Sequence, residues 1–124
     1  MRFSPTQPIL ATVSIDNTAG LWQLPDGREL AVLAGHKEGV FNCDFSPDGK
    51  ILATASGDRT VKLWHVATRR EMLTLQLERP VTMCAFSPEG NYLATGTVDG
   101  TFRFWRAATW EEIGAKEKSS PGNP

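Results

Sequence analysis

The chain states one pattern three times. Phe3-Ser4-Pro5, Phe45-Ser46-Pro47 and Phe86-Ser87-Pro88 stand 42 and 41 residues apart. Each is followed at a fixed distance by Leu-Ala-Thr, at Leu10 to Thr12, Leu52 to Thr54 and Leu93 to Thr95. An Asp comes next (Asp16, Asp58, Asp99), then a Trp (Trp22, Trp64, Trp105). A period of this length marks a stacked-repeat architecture, in which one unit cannot bury its apolar face without a neighbour. The repeat sets the fold class before any single residue is weighed.

Within a unit the patterning is that of short strands. From Val40 to Phe45 apolar residues alternate with Asn42 and Asp44, a period of two. Ser46-Pro47-Asp48-Gly49 reads as a tight turn, Pro presetting its first corner and Gly accepting its left-handed exit, and Ser87-Pro88-Glu89-Gly90 repeats it. Ile51 to Ser56, Thr60 to Val66 and Glu71 to Leu77 complete a four-stranded antiparallel meander. The third unit supplies Val81 to Phe86, Tyr92 to Thr97 and Thr101 to Arg106, with Thr109 to Ile113 starting a fourth strand. The first unit supplies Ile9 to Ile15, Ala19 to Leu24 and Glu29 to Ala34, but the innermost strand expected before Phe3 is missing. No helix of useful length is visible. Residues 114–124, low in apolar side chains, read as a disordered tail.

Charge and composition exclude several classes. A formal net charge of -1 gives no basic field for nucleic acid or an anionic lipid surface, so neither is an expected partner. The apolar runs are about strand length, too short to cross a bilayer as a helix. Met1 to Pro5 lacks the apolar stretch of a secretory signal, and a cytoplasmic location is the expectation. Cys43 and Cys84 occupy the same place in two consecutive units, a whole unit apart and beyond disulfide reach. Both read as small buried hydrophobes, and neither has Cys or His neighbours at metal-ligand spacing. With no Gly-rich phosphate loop and no nucleophile beside a base, no enzyme activity, metal or cofactor is expected.

These residues resemble the WD-repeat family of β-propellers over about residues 3 to 113. The second unit carries most of the resemblance: Gly35-His36, Val40, Phe45 to Gly49, Leu52-Ala53-Thr54, Asp58, Thr60 and Leu63-Trp64. The family's name-giving Trp-Asp pair is absent, since Gln23, His65 and Arg106 follow the three Trp residues. The resemblance implies an all-β fold, a partial propeller of about three blades at residues 3–35, 36–77 and 78–113, the first lacking its inner strand. It also implies a structural hydrogen-bonded tetrad in each blade, formed by His, Ser or Thr, Asp and Trp. In the second unit these are His36, Thr54, Asp58 and Trp64. The third has Thr95, Asp99 and Trp105 with Leu77 at the His position; the first has Thr12, Asp16 and Trp22. A His-Asp-hydroxyl catalytic triad is the competing reading of His36, Asp58 and Thr54. Thr and Asp recur in all three units while His does not, which argues for scaffold.

Trp22, Trp64 and Trp105, one per unit, read as core and tetrad residues rather than stacking platforms. Trp110 has no counterpart, and either covers the third unit or contacts another chain. His65 is expected to face solvent or a neighbouring blade. Propellers usually bind partners through the tetrad-side loops, which here hold Lys37, Glu38, Arg59, Arg79 and Asp99. Lys37, Arg59 and Arg79 are the candidate protein-binding residues, Arg being favoured at interaction hot spots. Three blades are fewer than the four to eight of a closed ring. The chain is therefore expected to be the C-terminal part of a larger, bacterial-type propeller or to close by self-association. Its function is expected to be that of a non-catalytic protein-interaction scaffold. The alternative is a regulatory or sensor segment of a multidomain signalling enzyme, such as a protein kinase, whose catalytic domain lies upstream.

Overall fold

The computed structural model describes residues 1–106. Every regular element among them is a strand: β1 Arg2–Phe3, β2 Ile9–Val13, β3 Thr18–Gln23, β4 Arg28–Ala34, β5 Val40–Phe45, β6 Ile51–Ser56, β7 Thr60–His65, β8 Arg70–Gln76, β9 Val81–Phe86, β10 Tyr92–Thr97 and β11 Phe102–Arg106. They form three antiparallel sheets in chain order, β1-β2-β3-β4, β5-β6-β7-β8 and β9-β10-β11. This is a partial propeller of three successive blades. The expected strand from Thr109 to Ile113, the tail at 114–124 and Trp110 lie outside the described residues.

Most strand ends lie within one residue of the sequence reading, and the two larger differences have local reasons. The innermost strand of the first sheet is represented by Arg2 and Phe3 alone, paired with Ala11 and Leu10. Arg2 is held there by its Nε, which donates to the Cys43 carbonyl at 3.1 Å. Strand β2 stops at Val13 rather than Ile15, because Ser14 to Asn17 turn the chain. Ser14 Oγ accepts from the Asp16 N–H at 3.1 Å, and the Ile15 side chain is left exposed.

The Ser-Pro corners act as expected. At the second, Gly49 takes a φ of 75° and its N–H donates to the Ser46 carbonyl at 2.8 Å. The Ser46 hydroxyl donates to Asp48 Oδ1 (2.6 Å) and accepts from the Ile51 N–H (3.1 Å), so one side chain ties β5 to β6. Gly90, at φ 84°, and Ser87 reproduce the corner in the third sheet.

Alternation along the strands gives each sheet two apolar faces, and the core lies between sheets. Ile9, Ala11, Ala19, Leu21 and Leu33 of the first sheet pack against Cys43, Phe45, Leu52 and Trp64 of the second. Ile51, Ala53, Ala55, Val61, Leu63 and Leu75, on the opposite face of the second sheet, pack against Cys84 and Leu93, flanked by Phe86 and Trp105. Corresponding positions thus build both interfaces. Leu21, Leu52, Leu63 and Leu93 are all fully buried, and each contributes about 1.5–3 kcal/mol from apolar transfer. Across the second interface, Asp44 Oδ2 accepts from the Phe86 N–H at 2.8 Å.

Candidate functional site

In the second sheet, β6 and β7 place Thr54 and Trp64 on one face, and the crossover from β8's counterpart β4 brings His36 over them. Trp64 Nε1–H donates to Thr54 Oγ1 at 2.9 Å. His36 Nε2 lies 2.7 Å from the same oxygen, and His36 Nδ1 lies 3.0 Å from Asp58 Oδ2. The donors determine the tautomer. The Asp58 carboxylate can only accept, so Nδ1 carries the proton, and the bare Nε2 accepts from the Thr54 hydroxyl. The four side chains then form a continuous linear chain of bonds from the Trp64 indole through Thr54 and His36 to the Asp58 carboxylate.

Asp58 is also held by groups outside that chain. The Lys37 N–H donates to Oδ2 at 2.9 Å, while the Thr60 hydroxyl and N–H donate to Oδ1 at 2.5 and 3.0 Å. Burial alone would raise the carboxyl pKa, but these bonds and His36 outweigh it and bring it down to about 2. For His36 burial is the larger influence. It holds the imidazole pKa below its ordinary 6.5 despite the pull of Asp58. The pair is therefore a neutral imidazole beside a carboxylate, and the turn from Ser56 to Thr60 is fixed by its own polar groups.

The other two sheets contain parts of this arrangement. The indole–hydroxyl bond recurs at 2.9 Å between Trp22 and Thr12, and at 3.1 Å between Trp105 and Thr95. Asp16 bonds only within its turn, accepting from the Thr18 hydroxyl (2.7 Å) and N–H (3.1 Å). Asp99 accepts from the Thr97 hydroxyl (2.6 Å) and the Thr101 N–H (3.2 Å), with Arg79 Nε 3.8 Å away. Leu77, at the spacing from Phe86 that His36 keeps from Phe45, is buried in the second interface. A cleft of about 220 Å³ lies beside it, bordered by Arg79, Thr97, Asp99 and Arg103.

Two features went unread in the sequence. One is the Asp-x-Thr spacing, present three times at Asp16-Asn17-Thr18, Asp58-Arg59-Thr60 and Asp99-Gly100-Thr101. Each Asp caps the Thr two residues on, and the middle residue is left-handed in all three turns: Asn17 at φ 78°, Arg59 at 73° and Gly100 at 85°. The other is Lys62, paired across the sheet with Thr54. Its Nζ lies 2.8 Å from Glu71 Oε2 and 3.0 Å from Thr74 Oγ1, nearly covered beside His36. In the third sheet Arg103 pairs with Thr95, and its guanidinium lies 5.3 Å from the centre of the Trp105 ring.

The candidate binding residues are all on the tetrad side. Lys37, Arg59 and Arg79 are exposed. The Arg59 carbonyl accepts from the Leu77 N–H at 2.8 Å, which joins the Arg59 turn to the loop carrying Arg79. His65 contacts Thr68 Oγ1 at 3.3 Å and lies away from the His36 network. Cys43 and Cys84 are buried free thiols; burial pushes Cys43 up to about 11 and Cys84 well above its ordinary range. Among the described residues no group of His, Cys, Asp and Glu is arranged to hold a metal, and no helix is long and apolar enough to cross a membrane.

Comparison with known proteins agrees with this geometry. The family model described as WD40 (WD domain, G-beta repeat) matches residues 27–65 and 71–106, well over half of the chain. Transducin beta-like protein 3 of Mus musculus is 44% identical over 45 residues, 36% of this chain and 6% of that protein. Its Rattus norvegicus counterpart is 45% identical over 42 residues, 34% of this chain and 5% of that protein. The chain thus spans only a small part of the length of these relatives. It belongs to the WD40 family of WD-domain, G-beta repeat proteins.

Proposed function

We propose that the chain is a non-catalytic scaffold that binds other proteins through the tetrad-side loops, as part of a larger propeller or by closing with copies of itself. WD40 repeats as a family support an interaction role of this general kind. The observation that carries the specific surface is the backbone of Arg59. Arg has no preference for a φ of 73°, a conformation that costs an L-residue about 1–2 kcal/mol. The Asp58 and Thr60 cap maintains it and leaves the guanidinium exposed at the tip of the turn. The same capped turn holds Asn17 and Gly100 in the other two sheets, and in the second sheet it presents a cation to solvent. Arg79, on the loop bonded to this turn, and Lys37, whose N–H is fixed by Asp58, extend the same surface. The His36, Asp58 and Thr54 group is scaffold on this reading: the hydroxyl is fully buried and already bonded to both the imidazole and the indole.

The test is affinity capture from the source cell with the wild-type chain and with an Arg59→Ala, Arg79→Ala variant of unchanged thermal stability. Specific partners recovered with the wild type should be reduced at least tenfold with the variant. Equal recovery would overturn the assignment of this surface.

A further inference from the structure

The exposed aromatic face of the third sheet corresponds, position by position, to the surfaces that the other two sheets bury. Tyr92, Ala94, Gly96, Phe102 and Phe104 occupy the places of Ile51, Ala53, Ala55, Val61 and Leu63 in the second sheet. The first sheet has Ile9, Ala11, Val13, Ala19 and Leu21 there. In the second sheet Val61 and Leu63 are both 0% exposed, covered by the third sheet. Phe102 and Phe104 are 60% and 63% exposed. The face is built rather than accidental. A Cβ on Gly96 would come within 2.9 Å of Phe102 Cε1 and of Met83 Cγ, so the glycine makes room for the larger ring.

The first sheet has the complementary deficiency. Phe3, Leu10 and Trp22 stand where the second sheet has Phe45, Leu52 and Trp64. Those three are 4%, 0% and 4% exposed, packed against the preceding sheet. Phe3 is 65% exposed, and Leu10 and Trp22 are only half-buried. The two ends left uncovered among the described residues thus correspond to the two halves of an interface that the chain already forms twice.

From this we infer that the Tyr92–Phe102–Phe104 face binds the Phe3–Leu10–Trp22 face of a second copy of the chain, head to tail. This deepens the self-association arm of the proposed function and rests on it. The two faces differ and each meets its complement, so two copies can form two equivalent contacts and close. Three sheets from each copy give about six blades, within the four to eight known for closed propellers. The same contact covers two apolar faces that would otherwise invite aggregation.

Light scattering coupled to size exclusion, over a range of concentrations, tests the inference on the full 124-residue chain. The wild type should reach twice its 13.6 kDa mass. Phe104→Lys and Phe3→Lys each place a charge in every contact of a homodimer, and each variant alone should stay at the monomer mass. Mixed one to one, the two retain one unaltered contact, between the Phe3 face of the first variant and the Phe104 face of the second. The mixture should recover the doubled mass. Both substitutions are at exposed positions, and recovery on mixing itself shows that both variants are folded. A monomeric wild type overturns the inference, as it would if other blades of a longer polypeptide covered these faces. So does a Phe3→Lys variant that dimerises alone, or a mixture of folded variants that stays monomeric. None of these outcomes bears on the Arg59 and Arg79 surface, which is read from partner recovery.

Discussion

Replacing His36 by Ala tests the central network most directly. The imidazole is 1% exposed, so its removal leaves a cavity as well as broken bonds. Thr54 loses the acceptor for its hydroxyl proton; the next candidate, the Lys62 carbonyl, lies at a marginal 3.5 Å. Asp58 fares better, because the Lys37 N–H and Thr60 continue to bond it. The unpaired hydroxyl and the lost bond to the carboxylate amount to about 1–3 kcal/mol, and the cavity adds about 1 kcal/mol. The expected loss is therefore about 2–4 kcal/mol, measured by urea unfolding followed through tryptophan fluorescence. His36→Leu should lose less, since Leu77 already fills the same place in the third sheet. The pH dependence has a definite sign. The folded imidazole pKa lies below its ordinary 6.5, so the unfolded chain binds the extra proton first. Wild-type stability should be level above about pH 6.5 and decline as the pH falls below it, and His36→Ala should remove that part of the slope. His65→Ala, which loses one contact to Thr68, should change stability by less than about 0.5 kcal/mol. Equal losses at His36 and His65 would refute the reasoning.

Two further outcomes are expected from the same geometry. In Gly20→Ala the new methyl would lie 2.9 Å from Trp22 Nε1 and 3.1 Å from Thr12 Oγ1, disturbing the indole–hydroxyl bond of the first sheet. Its melting temperature should fall further than that of Gly27→Ala, which at φ 75° in open space should show only backbone strain of about 1–2 kcal/mol; a smaller effect at Gly20 than at Gly27 would count against the bond's role. Cys43 and Cys84, buried with raised thiol pKa values, should react with a thiol reagent only as fast as the sheets open, and labelling within seconds of native protein would contradict their burial.

Most of the fold was legible because each feature is a repeated local signal. Alternation marks the strands, Ser-Pro with Gly49 or Gly90 marks the corners, and Thr with Trp ten residues on marks the indole–hydroxyl bond. The network around His36 was legible only through the resemblance to WD repeats, since Thr54, Asp58 and Trp64 recur in the other units and His36 does not. Features that depend on what lies across a sheet were less accessible. Phe102 and Phe104 carry the pattern of core residues, and only the packing shows that nothing among the described residues covers them. Lys62 alternates outward like any strand lysine; its bond to Glu71 depends on the register of β7 against β8, which shifts between Leu63 and Trp64. The two-residue β1 was hidden because Arg2 is fixed by a carbonyl 41 residues away. The Asp-x-Thr cap, by contrast, was fully local and could have been read from its threefold recurrence.

That cap separates conformation from side-chain identity. Asn17, Arg59 and Gly100 share one left-handed backbone geometry although one is an amide, one a cation and one has no side chain. The flanking Asp and Thr groups dictate the shape, so the middle residue can be exchanged at a modest energetic penalty without altering the blade beneath it. The side chain displayed at each turn tip is thereby independent of the backbone that carries it.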